Sequence, residues 1–466
     1  MSRTFQSLER YNYRLWFTGN IFASTGQWMQ RIAQDWLVLT VLTQGGGVQV
    51  GVVTALQFLP ILLLSPVAGV IADRFDRRHV VQAAQASFGL LGLLTGVLVL
   101  TDSISLPLVY LLAALGGTVT AFDGPARQAF VSELVRPHML PNAVALNSMA
   151  FNLARMLGPA VAGFVIDWVG LGWVFISNAA LFLVPVFTVA LMRKSELEPP
   201  VSVPRERGQI REAVRYVRGR RDIIMVLVVI GVVSFLGLNF QLTSAMMATE
   251  VYMRPAGGYG LMSTALAVGA VTGAVLTARR GRPTLFLIVT AAAFFGVGLT
   301  ILSLAPTYIW FLVLAAPVGV MSQTLMASAN ASVQLAAEPA FRGRVMALYT
   351  MVFMGVTPIG APLIGWVGET FGARWSMAVG GIASIAVAVG VALFARFHWR
   401  IRLRVDPRAH RVSLVIPDEW QPIRGGVAAR AHQDELERLA ALDRDERASE
   451  AAALEEEEAE EEGEIK

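Results

Sequence analysis

Charged side chains stand inside otherwise apolar stretches at three places in this sequence: Arg31 and Asp35 in the first stretch, and Arg155 in the fifth. A charge in hydrocarbon costs roughly 3 kcal/mol or more, so each needs a partner or a water-filled cavity. Arg31 and Asp35 are four residues apart, on one helix face and within pairing reach. Gln27 and Gln34 flank that face and Asn20 lies on the same helix, so a polar stripe runs along an apolar segment and should face a central cavity. Asp35 is the one carboxylate that the sequence puts well inside a span. Burial favours its neutral form and Arg31 its charged form, so changing water access could load and unload a proton there. A static ion pair that fixes packing fits the same spacing, and the sequence does not separate the two.

Arg155, with Asn152 close by, can attract an anionic substrate, an interior carboxylate or backbone carbonyls. The second half of the chain offers no mid-span charge. Its polar groups are Asn239, Gln241, Thr243 and Ser244 in the seventh stretch and Gln323, Ser328 and Asn330 in the tenth. Phe240, Met246, Met326, Phe353 and Met354 would form an adaptable apolar wall suited to bulky amphipathic ligands, or equally pack the bundle. We take Gln27, Gln34, Asn152, Arg155, Asn239, Gln241, Gln323 and Asn330 as cavity candidates, and Asp35 with Arg31 as the proton-coupling candidates.

Other chemistries find little support. The chain has no cysteine, and histidine occurs only at 79, 138, 398, 410 and 432, near span ends or in the tail. No phosphate-cradling Gly-Lys-Ser loop is present. No nucleophile–base pair, metal site or cofactor site is expected, and an enzyme ranks last among the readings.

The elements that must position these residues follow from composition. Hydrophobic residues make up 55% and charged residues only 15% of the chain, where a soluble domain carries about 25% charge. Apolar runs of about 20 residues, enough to cross about 30 Å of hydrocarbon as a helix, predict twelve helices at 13–42, 48–71, 79–101, 106–125, 142–166, 172–192, 223–248, 258–278, 284–304, 307–331, 344–367 and 373–397. Open sheets would leave edge groups unsatisfied in lipid. The net charge of +4 points to topology rather than to nucleic acid. One set of loops holds Arg74, Arg77, Arg78, Arg127, Arg136, a cluster between 193 and 221, Arg279, Arg280, Arg282, Arg342 and Arg344; the opposite set holds only Arg254 and Arg374. Positive residues stay in the cytoplasm, so both termini are expected there and the span count must be even. No cleavable leader is expected.

The expected domains are an N-terminal six-helix half (1–192), a cytoplasmic central loop (193–222), a C-terminal six-helix half (223–398) and an acidic, disordered tail (399–466). The loop carries the basic stretch REAVRYVRGRR, either a helix on the inner leaflet or a solvated linker. The tail's closing LEEEEAEEEGEIK repels itself. The halves look related. GPAVAGFVIDWVGLGW from Gly158 aligns with GAPLIGWVGETFGARW from Gly360, pairing Gly163 with Gly365, Asp167 with Glu369, Gly170 with Gly372 and Trp173 with Trp375. Repeated halves with a midplane site between them are the usual build of secondary transporters.

A family resemblance rests on two motifs. Gly69, Asp73, Arg74, Arg77 and Arg78 resemble the loop signature G-x-x-x-D-R-x-G-R-[RK] of the major facilitator superfamily, with Asp76 in place of the second glycine. Ala154 to Gly163, with Gly158 and Pro159, is similar to the antiporter motif G-x-x-x-G-P-x-x-G-G, with alanine in two glycine places. GQWMQRIAQDWLV and FDGPARQAFVSELV are similar to the drug-exporter branch that includes enterobactin and macrolide-efflux exporters. The resemblance covers roughly residues 10–400. It implies an all-α membrane protein of twelve transmembrane helices in two pseudo-symmetric six-helix halves. The loop cluster, with Asp123 and Arg127, is implied to be a cytoplasmic gate; Gly158, Pro159 and Gly163 pack helices. One departure matters: 106–122 carries no charge, where many drug antiporters hold an arginine in the fourth span.

The expected function is therefore export of a hydrophobic or amphipathic small molecule (a drug, antibiotic or siderophore) by proton antiport and alternating access. The expected partners are the substrate, protons and the lipid of a bacterial inner membrane, with a monomer as the working unit. An uptake symporter and a non-transporting scaffold or sensor acting through the tail are the rivals.

Overall fold

A computed structural model describes residues 3–198, 209–279, 283–339, 341–399, 402–406 and 411–415. The N-terminal half comprises α1 (Tyr11–Trp36), α2 (Gly47–Arg74), α3 (Arg77–Leu100), α4 (Leu106–Leu134), α5 (Leu140–Val169) and α6 (Leu171–Ala190). A short loop helix α7 (Gln209–Arg218) precedes the second half. There the seventh span is split into α8 (Arg221–Val232) and α9 (Phe240–Met246); α10 (Ala256–Ala278), α11 (Leu285–Ser303) and α12 (Tyr308–Ala336) follow. The eleventh span is α13 (Arg342–Gly355) with α14 (Thr357–Phe371), and α15 (Ala373–Trp399) is the last. Among the described residues, eleven helical stretches are long and apolar enough to cross a membrane. The twelfth, α1 with its continuation Leu37–Leu42, misses that measure because of its polar stripe, yet it packs inside the N-terminal half against α5 and α6.

The two halves repeat one packing scheme. In the first, α2 lies on α4 and α3 on α6; in the second, α10 lies on α12 and α11 on α15. Gly170 and Gly372, paired by the sequence repeat, end α5 and α14 with the same left-handed backbone, φ 94° and φ 95°. Glycine is the residue that takes this conformation without strain.

Two seams join the halves, α2 against α14 and α5 against α10. Small residues let the backbones meet, as membrane helix contacts require. A Cβ on Gly163 would collide with the Ala256 carbonyl, and one on its repeat mate Gly365 with the Gly47 carbonyl. Gly260 faces the Pro159 carbonyl, and Gly158 lies against Trp28 of α1. These contacts close the side of the bundle remote from the termini.

Several boundaries differ from expectation. The fourth helix runs through Pro125 to Leu134 rather than ending at 125. The seventh span breaks at Leu238–Asn239, after a widened turn over Val233–Gly237. The eleventh breaks at Val356, where Pro358 enters the first turn of α14, a place that suits proline because no amide is needed there. Pro159, by contrast, sits inside an unbroken α5. The basic loop stretch forms α7 and docks on the second half: Tyr216 stacks on Phe341 at 4.6 Å and its Oη accepts the Glu338 amide at 3.2 Å. The tail does not begin as disordered chain. β1 (Arg402–Asp406) pairs antiparallel with β2 (Arg411–Val415), setting Leu403 opposite Leu414. The acidic run, Arg205, Arg207, Arg280, Arg282 and the Asp73 side chain lie outside the described residues.

Candidate functional site

The polar stripe on α1 does not form the expected ion pair. Arg31 and Asp35 are joined by no salt bridge within 4.0 Å. Helical side chains lean toward the N-terminus, so Arg31 points back a turn. Its guanidinium lies over the rings of Trp28 at 5.6 Å and Phe58 at 5.2 Å. Asp35, 4% exposed, instead accepts a hydrogen bond from the Tyr259 hydroxyl of α10 at 3.3 Å. Tyr259 is fully buried and stacks on Trp36, with ring centroids 6.1 Å apart. One carboxylate of the first half is thus tied to the second half near the seam.

Beside Arg31 a cleft opens between α1 and α4, backed by α3 and α6, with about 680 Å³ of free space including its mouth. Gln27, Arg31 and Gln34 line it from α1, Gln57 from α2 and Thr120 from α4. Gln57 donates to Gln34 at 3.0 Å, and Asn178 of α6 donates to Gln30 at 2.6 Å. These amide pairs hold the wall's polar groups in place. Gln30, Gln57 and Asn178 are site residues that sequence reasoning passed over; a glutamine every three or four residues on α1 was the available signal.

The remaining cavity candidates divide. Arg155 of α5 reaches Gln323 of α12 across the halves at 3.5 Å, and its buried Nε has no hydrogen-bond partner. Gln241 keeps a buried, unbonded Nε2. Asn152, Asn239 and Asn330 bond within their own segments, to the Ser148 carbonyl, the Phe235 carbonyl and Gln334.

The expected gate residues form networks inside the first half. Arg77 pairs with Glu133 at 2.6 Å, with both side chains about 10% exposed. Arg78 donates to the Ala190 carbonyl and Asp76 caps the first turn of α3 through the Arg78 amide at 3.0 Å. That cap gives the substituted Asp76 a physical role. Gly69 is buried and Arg74 exposed. Asp123, 3% exposed, binds Arg127 at 2.9 Å and accepts from Gln85 at 3.0 Å, while Arg127 also donates to Asn20 at 2.7 Å. Asp35 is therefore not the one carboxylate buried in a span: the longer α4 carries Asp123 inward and Glu133 to its end.

Two further carboxylates close the remote side. Asp167 accepts the Gly257 amide at the start of α10, and Glu369 accepts the Val48 amide at the start of α2, both at 2.9 Å. Each sits at a helix N-terminus of the opposite half, where the dipole favours an anion.

Two related halves, broken seventh and eleventh spans, glycine seams and a polar cleft near mid-depth define a transporter of the major facilitator superfamily. Solved structures agree in fold. A bacterial homologue of the human lysosomal transporter Spinster, inward-facing and unoccupied, superposes with a TM-score of 0.64 at 14% identity, covering 83% of this chain and 96% of that one. A D-xylose–proton symporter gives 0.63 at 15%, covering 81% and 96%. Within the superfamily, the chain belongs to the transmembrane secretion effector family, whose pattern matches residues 2–428. It is similar to a staphyloferrin A transporter of Staphylococcus aureus (22% identity, covering 86% of this chain and all of that one), to the multidrug efflux pump Tap of Mycobacterium tuberculosis (27%, 74% and 84%) and to the enterobactin exporter EntS of Shigella boydii (25%, 76% and 82%).

Proposed function

We propose that the chain is a proton-coupled exporter of amphipathic small molecules in a bacterial inner membrane, with both termini in the cytoplasm. It works by alternating access, the halves rocking about the cleft beside α1. The observation that carries this reading is the hydrogen bond between Asp35 and Tyr259. A carboxylate that bridges the moving halves changes its interactions whenever they part, and protonation changes the bridge in turn. That reciprocity is what coupling requires. The export direction is supported by the efflux relatives, Tap and EntS. With the termini inside, the closed seams lie on the outer face.

The test uses energised cells loaded with a fluorescent amphipathic dye. The wild type is expected to extrude it, and to stop when an uncoupler collapses the proton gradient. Gradient-driven accumulation instead of extrusion would reverse the direction and make the protein an uptake symporter.

A further inference from the structure

Among the described residues of the first half, Arg77 and Arg127 have carboxylate partners, Glu133 and Asp123, Arg78 donates to the Ala190 carbonyl, and Arg155 reaches the Gln323 side-chain oxygen. Arg31 differs. Its neighbours Trp28 and Phe58 offer ring faces, which attract a cation but accept no N–H hydrogen bond of ordinary strength. It makes no hydrogen bond or ion pair with a described residue, and Asp35 is held by Tyr259 instead. A guanidinium inside a span without an acceptor is costly. Its planar fork matches a carboxylate with two parallel hydrogen bonds.

The surroundings of Arg31 have the form of a binding site. The cleft is partly open and is lined by both amide and apolar side chains around the Arg31 guanidinium, the mixed lining that small-molecule sites share. Gln27 and Gln57 bring amides to the Arg31 end, while Phe88, Leu112 and Phe182 supply the apolar wall. One cation, a few amides and an aromatic wall select a molecule with one acidic group and an apolar body.

We propose that the cleft between α1 and α4 binds the carboxylate of an amphipathic organic acid, with Arg31 as its counter-charge. Gln27 and Gln57 orient the carboxylate, and the aromatic wall takes the hydrocarbon body. The inference rests on the transport reading above, in that the bound acid is the cargo.

Equilibrium binding to the full chain in detergent, read by titration calorimetry, tests the site. The probes are naphthoate and its methyl ester, which share a ring system and differ in charge. The wild type is expected to bind naphthoate at least about tenfold tighter than the ester, the scale of a charge-assisted contact. Arg31→Gln loses that preference while its ester affinity stays within about twofold, which shows the cleft intact; Arg31→Lys restores part of it. Gln57→Leu weakens naphthoate several-fold and keeps the preference for the anion. Equal binding of both probes by the wild type, or a preference that survives Arg31→Gln, overturns the assignment. Binding is read without a gradient, so the two readings fail separately. Lost dye extrusion with the charge preference retained refutes transport and keeps the site; extrusion retained without the preference does the reverse.

Discussion

Asp167 and Glu369 are repeat mates that perform the same act in opposite directions. Asp167, in the first half, accepts the amide of Gly257 in the second; Glu369, in the second, accepts the amide of Val48 in the first. The pseudo-twofold relation of the halves thus yields two carboxylate caps that cross the remote seams. Each contact is worth about 0.3–1 kcal/mol by its dipole interaction alone, and together they bias the bundle toward closure on that side.

Removing both caps should therefore loosen that face. The chain has no cysteine, so a single Ser244→Cys, at a buried position of α9, reports access to an impermeant maleimide. In the Asp167→Asn, Glu369→Gln background its labelling rate is expected to rise about fivefold to tenfold, the population change that about 1–1.4 kcal/mol produces. An unchanged rate would remove the caps from the closure.

The glycine seams give a sharper steric prediction. Gly365→Leu and Gly163→Leu each place a side chain against a facing backbone carbonyl. Both variants should insert and express, show raised Ser244→Cys labelling and lose extrusion. Gly390, with no neighbour near its would-be Cβ, is the control: Gly390→Ala should extrude at the wild-type rate.

The buried Arg77–Glu133 pair predicts a stability effect separate from transport chemistry. Glu133→Ala removes the α4 carboxylate that pairs with Arg77 and is expected to cost about 1–3 kcal/mol, the scale of a lost hydrogen bond to a buried charged group. Thermal unfolding of the detergent-solubilised chain measures it. Stability within about 0.5 kcal/mol of the wild type would mean that water solvates the site.

Tyr259→Phe deletes the donor to Asp35 while preserving ring packing on Trp36. Gradient-driven extrusion should fall about tenfold or more, since a hydrogen bond to a charged group is worth about 1.5–3 kcal/mol. Binding of an uncharged dye should hold. Equal loss of both would make Tyr259 a packing residue only.

Much of this architecture could be read from the residues. Apolar runs and arginine-rich loops located the helices, and the pairing of Gly163 with Gly365 and of Gly170 with Gly372 identified positions that do the same work in both halves. The interior contacts were less visible. Asp35 meets a tyrosine 224 positions away, a relation no local spacing carries, and the lean of helical side chains parts Arg31 from Asp35. The fourth helix passes through Pro125, which on sequence grounds reads as an end. The break at Leu238–Asn239 falls in a run of good span-formers with no proline to mark it.

The most direct test of the account is gradient-driven dye efflux by Asp35→Asn, at matched expression, beside the wild type. The wild type is expected to extrude and the variant not, while both bind the dye alike. Extrusion by Asp35→Asn at the wild-type rate would contradict it, leaving the Asp35–Tyr259 bridge a structural contact and placing the coupling elsewhere.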